Sequence, residues 1–210
     1  LGTFFATTGA LPTATVEERN GVTARGMVSG GNWLVPTMNG QLRLEKPPLP
    51  TWVAGAIEAV CPNNLGAQRL AAGAMGCLWT WFLFLTARYI ARRTDYAIIA
   101  TVVFLTCYNT VLMGRSATWD IYCHALMMGA IYLLLRALNE ERDYRWQLPL
   151  AGLFLGLSWL SKGPVSFYTL LLPFLLSIVT LPSITTRGKW PYLGIMLGVA
   201  VVVGGWWYAY

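Results

Sequence analysis

Four short runs of this 210-residue chain hold side chains able to do chemistry. Glu17-Glu18-Arg19 sets two carboxylates beside a cation, and Glu45-Lys46-Pro47-Pro48 sets one charge of each sign ahead of two prolines. An arginine opens and a carboxylate closes Arg115-Ser116-Ala117-Thr118-Trp119-Asp120, and Ser161-Lys162-Gly163-Pro164 carries a lysine at a tight turn. Carboxylates can take a proton from a nucleophile, and Lys or Arg can offset the charge of a phosphate. Each run also has a structural reading. Thr15 and Glu18 have the spacing of a helix-capping box, in which Glu18 reaches back to a backbone amide. Asp120 at a helix start is stabilised by the helix dipole, and His124, one turn on, can pair with it or simply pack. Glu45 and Lys46 can be a surface ion pair before a helix, and Lys162 can hold phosphate or extend its ammonium to a membrane interface.

The elements that must position these runs belong to a membrane protein. The chain is 56% hydrophobic and 11% charged, against roughly 25% charged residues in soluble domains. From residue 70 onward, six long stretches contain no Asp, Glu, Lys or Arg: 70–87, 96–114, 121–135, 146–161, 163–186 and 190–210. A bilayer core about 30 Å thick takes about 20 apolar residues as helix, so residues 70–210 are expected to form six transmembrane helices. Residues 1–69 are then the end of a preceding transmembrane helix followed by a long outer loop. With that loop outside, the inner turns collect Arg88, Arg92, Arg93, Arg136, Arg142, Arg145, Arg187 and Lys189, while the short outer turns keep Arg115 and Lys162. Basic residues concentrate in cytoplasmic loops, so the net charge of +6 reports orientation and excludes nucleic acid as the natural partner. Cys61, Cys77, Cys107 and Cys123 follow neither a disulfide framework nor a zinc-site spacing. The chain starts without Met and stops inside an apolar run, and we read it as a fragment of a longer protein.

Within the loop, a helix is expected from about residue 16 to 29, ended by Gly30-Gly31. Another follows Pro47-Pro48, with Leu49, Trp52, Val53, Ala56, Ile57 and Val60 at helical spacing. Its apolar face suits a helix lying in the membrane interface or one packed on protein. No internal repeat of the kind found in two-half transporters is visible.

The run Gly31-Asn32-Trp33-Leu34-Val35-Pro36-Thr37-Met38-Asn39-Gly40, followed by Glu45-Lys46-Pro47-Pro48-Leu49, resembles the first outer loop of bacterial membrane glycosyltransferases of the aminoarabinose-transferase and protein-mannosyltransferase type. Glu17-Glu18-Arg19, residues 115–120 and Ser161-Lys162-Gly163-Pro164 fall in the order of that family. The resemblance implies an all-α GT-C fold: a polytopic transmembrane helical bundle with interfacial helices in the first outer loop. It implies a polyprenyl-phosphate sugar donor and a lipid A, protein or other cell-envelope acceptor, in a bacterial inner membrane with the loop facing the periplasm. By position, Glu45 is the carboxylate beside which some members bind a divalent metal ion, Lys46 the phosphate contact and Asp120 a second outer acid. The family places an Asp where this chain has Val16, so Glu17, with Glu18 behind it, is read as the substitute base and Arg19 as the family's arginine.

This set makes chemical sense for displacement at an anomeric carbon. A carboxylate takes the acceptor proton, and Lys46, Arg19, Arg115 or Lys162 offsets charge on the leaving phosphate. A lipid-linked sugar flippase would need the cations and the apolar path but no base. A noncatalytic scaffold would follow if Val16 marks loss of the acid.

Overall fold

The computed structural model describes residues 2–6, 9, 12–140, 143–179 and 188–209. Apart from one two-stranded hairpin, their regular structure is helical: α1 Gly2–Phe5, α2 Thr15–Gly30, α3 Leu49–Val60, α4 Leu65–Ala91, α5 Thr94–Thr106, α6 Tyr108–Arg115, α7 Trp119–Asn139, α8 Tyr144–Lys162, α9 Leu172–Val179 and α10 Trp190–Ala209. The chain divides into two compact units, Leu1–Tyr122 and Cys123–Tyr210. Helices α4, α7 and α10 are long and apolar enough to cross a membrane, and α5 with α6 qualifies as a fourth, bent span.

In the first unit, α2 ends as expected at glycine, with Gly31 in the left-handed region at φ 69°. The hairpin β1 Thr37–Met38 and β2 Gln41–Leu42 turns through Asn39 (φ 54°) and Gly40 (φ 79°). Two successive positive φ values define the tight turn that Asn-Gly favours. The Arg43 amide then bonds to the Pro36 carbonyl (2.8 Å), which keeps the chain returning toward α2.

Helix α3 buries Pro50, Thr51, Ala54, Gly55 and Glu58, its small and polar side, and Thr51 Oγ1 donates to Asn20 Oδ1 of α2 (3.0 Å). The apolar residues picked out by spacing lie elsewhere. Half-buried Val53 packs on Ala72, Ile121 and Tyr122, whereas Trp52 and Ile57 are half-buried and Val60 is 80% exposed, an apolar side suited to a lipid interface.

Helix α4 runs beyond the expected 70–87 at both ends. Asn64 Oδ1 accepts the Ala67 amide (3.0 Å) as an N-cap, and the charge of Arg69 is matched inside the unit by Glu17 (2.8 Å), so neither stops the helix. The expected single span 96–114 is instead broken at Cys107, with a bend of 69°. The Thr106 hydroxyl (2.8 Å) and Cys107 Sγ (3.3 Å) both turn back onto the Val103 carbonyl. Side-chain bonds of this kind compete with the helical ladder and bend helices.

In the second unit, α8 and α10 approach so closely that a Cβ on Gly152 would fall on the Met196 backbone, one on Gly156 on Val203 Cβ and the Ala200 carbonyl, and one on Gly204 on the Gly156 carbonyl and Trp159 Cβ. Small residues four apart allow that approach where apolar burial cannot drive helices together. Leu133, Leu134, Leu148, Ala151 and Met196 pack around the contact. Ser158 Oγ donates to the Cys123 carbonyl (2.7 Å) and shares a hydrogen bond with Ser166 Oγ (2.7 Å). The stretch 163–186 is described as a π-helical turn, Phe167–Leu171, leading into α9; residues 180–187 lie outside the described residues.

Candidate functional site

The hairpin's return strand brings together residues far apart in sequence. A cavity of about 230 Å³ is lined by Arg19, Met38, Gln41, Leu42, Arg43 and Glu45. Arg43, only 8% exposed, is locked along one edge: Nη1 donates to the Arg19 carbonyl (2.7 Å) and Thr23 Oγ1 (2.7 Å). Its guanidinium also lies 5.5 Å from the centre of the Trp119 ring, a cation–π distance. Burial pushes the Arg43 pKa down, the nearby Glu45 charge opposes that, and Arg19 adds to it; arginine keeps its proton regardless. The cavity therefore sets two guanidinium groups and one carboxylate around a polar space. The expected residues Arg19 and Glu45 line this cavity together, and Arg43, which sequence reasoning passed over, lies between them and holds the Arg19 backbone carbonyl. The available signal was its place just after the Asn-Gly turn, where a hairpin returns the strand toward α2.

The second cluster centres on Glu17. Its side chain is 1% exposed and receives Arg69 through two bonds, Nε to Oε1 (3.0 Å) and Nη2 to Oε2 (2.8 Å). The Ala117 amide (2.7 Å) and the Ala14 amide (3.1 Å) complete the set. Burial raises the Glu17 pKa, but the Arg69 bonds, then the Ala117 and Ala14 amides and the Arg69 charge, outweigh it and leave the pKa below the ordinary glutamate value. An ionised carboxylate that accepts several hydrogen bonds is a weak base. The helix start also corrects the capping expectation. Ala14, not Thr15, is the N-cap, and Glu17, not Glu18, reaches back to its amide, because the tertiary bonds to Arg69 and Ala117 fix the Glu17 side chain at that end of α2.

The remaining candidates take varied positions. Glu18 is exposed at a small cavity of about 120 Å³ that also touches Arg25, buried Glu58 and Gln68. Lys46 is half-buried ahead of the buried Pro47 and Pro48. Arg115 closes α6 and donates to the Ala6 carbonyl. Asp120 stands half-buried in the first turn of α7, next to the Trp119 on which Arg43 rests. His124, further along α7, and Lys162, the last residue of α8, are half-buried members of the second unit. Among the described residues no three His, Cys, Asp or Glu side chains converge. Glu45 shares its cavity with two guanidinium groups, so the described side chains do not by themselves fit a divalent ion there.

Long apolar helices and an irregular polar segment bearing a cationic cavity define a multi-pass helical membrane protein. The chain belongs to the dolichyl-phosphate-mannose-protein mannosyltransferase family, whose model matches residues 45–208. Its backbone is similar to that of ArnT from Cupriavidus metallidurans bound to undecaprenyl phosphate, with a TM-score of 0.81 and 19% identity over 99% of this chain and 39% of that one. The apo form of the same protein gives 0.77 and 20% over 94% and 37%. The fold is accordingly of the GT-C type. An undecaprenyl phosphate-alpha-4-amino-4-deoxy-L-arabinose arabinosyl transferase 2 of Proteus mirabilis is 26% identical over 77% of this chain and 29% of its own length. An uncharacterized protein of Aquifex aeolicus is 23% identical over 89% and 37%. The chain spans about a third of the length of these relatives.

Proposed function

We propose that this chain is part of a glycosyltransferase that moves a sugar from a polyprenyl-phosphate donor to a lipid A, protein or other envelope acceptor at the periplasmic face of a bacterial inner membrane. The observation that carries the reading is the stacking of Arg43 on Trp119 at 5.5 Å. It joins the cationic cavity of Arg19, Arg43 and Glu45 to the start of α7, where Asp120 stands. The names of these relatives point to the donor class.

In the proposed reaction the acceptor oxygen forms a bond to the anomeric carbon, the bond from that carbon to the phosphate oxygen breaks, and polyprenyl phosphate leaves. A single displacement of this kind inverts the anomeric centre. Arg19 and Arg43 offset the charge on the leaving phosphate, with Lys46, which follows Glu45 in sequence, and Arg115 as further candidate contacts. A guanidinium already held by protein along one edge needs no reorganisation when charge develops. The acceptor proton goes to a carboxylate within reach. Glu17 has its oxygens filled and Glu18 faces solvent, so Asp120 takes this role in our reading.

The test is incubation of the purified full-length protein with a panel of polyprenyl-phosphate sugars and candidate acceptors, followed by mass spectrometry. Wild type should yield a glycosylated acceptor. Asp120→Asn should lose at least about 100-fold in turnover, as general-base removal does, with donor affinity largely kept. Arg43→Ala should weaken donor binding about tenfold or more, as loss of a charge-assisted contact does. Absence of transfer with every donor in the panel, from protein that still binds polyprenyl phosphate, would favour the flippase or scaffold readings.

A further inference from the structure

We infer that Arg69 is a positioning residue: it locks the Glu17 carboxylate so that Glu17 holds the Ala117 amide and thereby sets the turn bearing Arg115 and Asp120. This rests on the proposed glycosyltransferase reading for its catalytic consequence, but not for its geometry. Arg69 enters from α4, is 2% exposed, and binds both Glu17 oxygens at 3.0 and 2.8 Å. Its Nη2 also reaches the Pro12 carbonyl (3.4 Å). Two parallel bonds fix the carboxylate plane, which a single lysine ammonium cannot do. With the plane fixed, Oε1 accepts the Ala117 amide at 2.7 Å across 100 residues of chain.

Ala117 is a buried residue of the link between α6 and α7, where the Thr118 amide also bonds back to Ser116 (2.8 Å). The link is short. Arg115 ends α6 and Asp120 occupies the first turn of α7, so the peptide at Ala117 sets the spacing between them. Small displacements of a reacting group are costly in rate. A glutamine at position 17 cannot replace the carboxylate, because its amide nitrogen would meet Arg69 or a backbone amide, donor against donor.

The experiment compares Arg69→Lys, Arg69→Gln and Glu17→Gln with wild type in the full-length protein, reading hydrogen exchange at residues 116–118, turnover, donor affinity and thermal midpoint. Arg69→Lys keeps the charge and is the variant expected to fold in every case. Exchange at the Ala117 amide should rise at least tenfold in all three variants, turnover should fall at least tenfold, and affinity for polyprenyl phosphate should fall by clearly less than turnover does. Unchanged Ala117 exchange in folded Arg69→Lys would overturn the positioning role, as would faster exchange with full turnover. Equal losses in turnover and donor affinity would instead mark a general structural role. If wild type itself transfers no sugar, the enzymatic reading falls, and Ala117 exchange still decides whether Arg69 sets the turn.

Discussion

Glu17 and Arg69 concentrate opposite charges where neither meets water. Removing one partner of such a pair leaves an uncompensated buried charge, typically about 3–5 kcal/mol, so Arg69→Ala should destabilise the first unit by about that amount in a denaturant titration in detergent. The pH dependence follows from the direction of the Glu17 shift. Its folded pKa lies below the unfolded value, so its contribution is fully present above the ordinary glutamate pKa of about 4.3. It is lost as pH falls from there through the folded pKa. The thermal midpoint of wild type should therefore be insensitive to this group from about pH 5 upward and drop in acid, and Glu17→Gln should lack that part of the acid decline. A decline of the same size in both proteins would show that other carboxylates carry it. The sequence made Glu17 and Arg19 visible as chemistry-bearing residues but gave the capping role to Glu18 and no structural partner to Glu17. Thr15 and Glu18 satisfied a local pattern, whereas the decisive contacts come from Arg69 and Ala117, distant in the chain. The one hint was Arg69 itself, a charge at the mouth of an apolar stretch and in need of a partner.

At the scale of elements, α8 and α10 approach through glycine, and that contact is open to a controlled test. A side chain at Gly156 would collide with Val203 and the Ala200 carbonyl, whereas one at Gly198, on the same pair of helices, meets nothing within 4 Å. Gly156→Leu should lower stability by about 1–3 kcal/mol, the usual cost of overpacking, and Gly198→Leu should be close to neutral. Thermal midpoints of the two variants in one detergent check this; a larger loss at Gly198 would mean that α10 packs through its other side. Apolar runs made the long helices α4, α7 and α10 legible, and Pro47-Pro48 announced α3. The break between α5 and α6 was not legible, because uncharged composition says nothing about a hydroxyl and a thiol competing for the Val103 carbonyl. The Asn39-Gly40 hairpin was legible in principle, and it matters for the site because it delivers Arg43.

At the scale of the whole molecule, the orientation rests on where basic residues fall, and the structure alters the weight of individual ones. Arg88, Arg92 and Arg93 are exposed around the end of α4, with Arg93 paired to Asp95. Arg136 is paired with Glu140 at 2.8 Å, and Lys189 is 3% exposed. The Lys189 ammonium donates to the Leu138 and Glu140 carbonyls (2.9 and 3.1 Å) at the end of α7, where the helix dipole favours a cation. Lys189 thus has a structural reason for its place, and Arg142 and Arg187 lie outside the described residues. We propose the orientation with Arg88, Arg92, Arg93 and Arg145 inside and Arg115 and Lys162 outside, since basic residues near span ends dominate insertion. Single cysteines in a cysteine-free background test it. Leu42 is a suitable outer reporter, being 68% exposed. Leu42→Cys should react with a membrane-impermeant maleimide in intact cells, and Arg145→Cys, at the exposed start of α8, should react only after permeabilisation. The reverse pattern would put the Arg19, Arg43 and Glu45 cavity on the cytoplasmic face, and the acceptor would then have to be a cytoplasmic one.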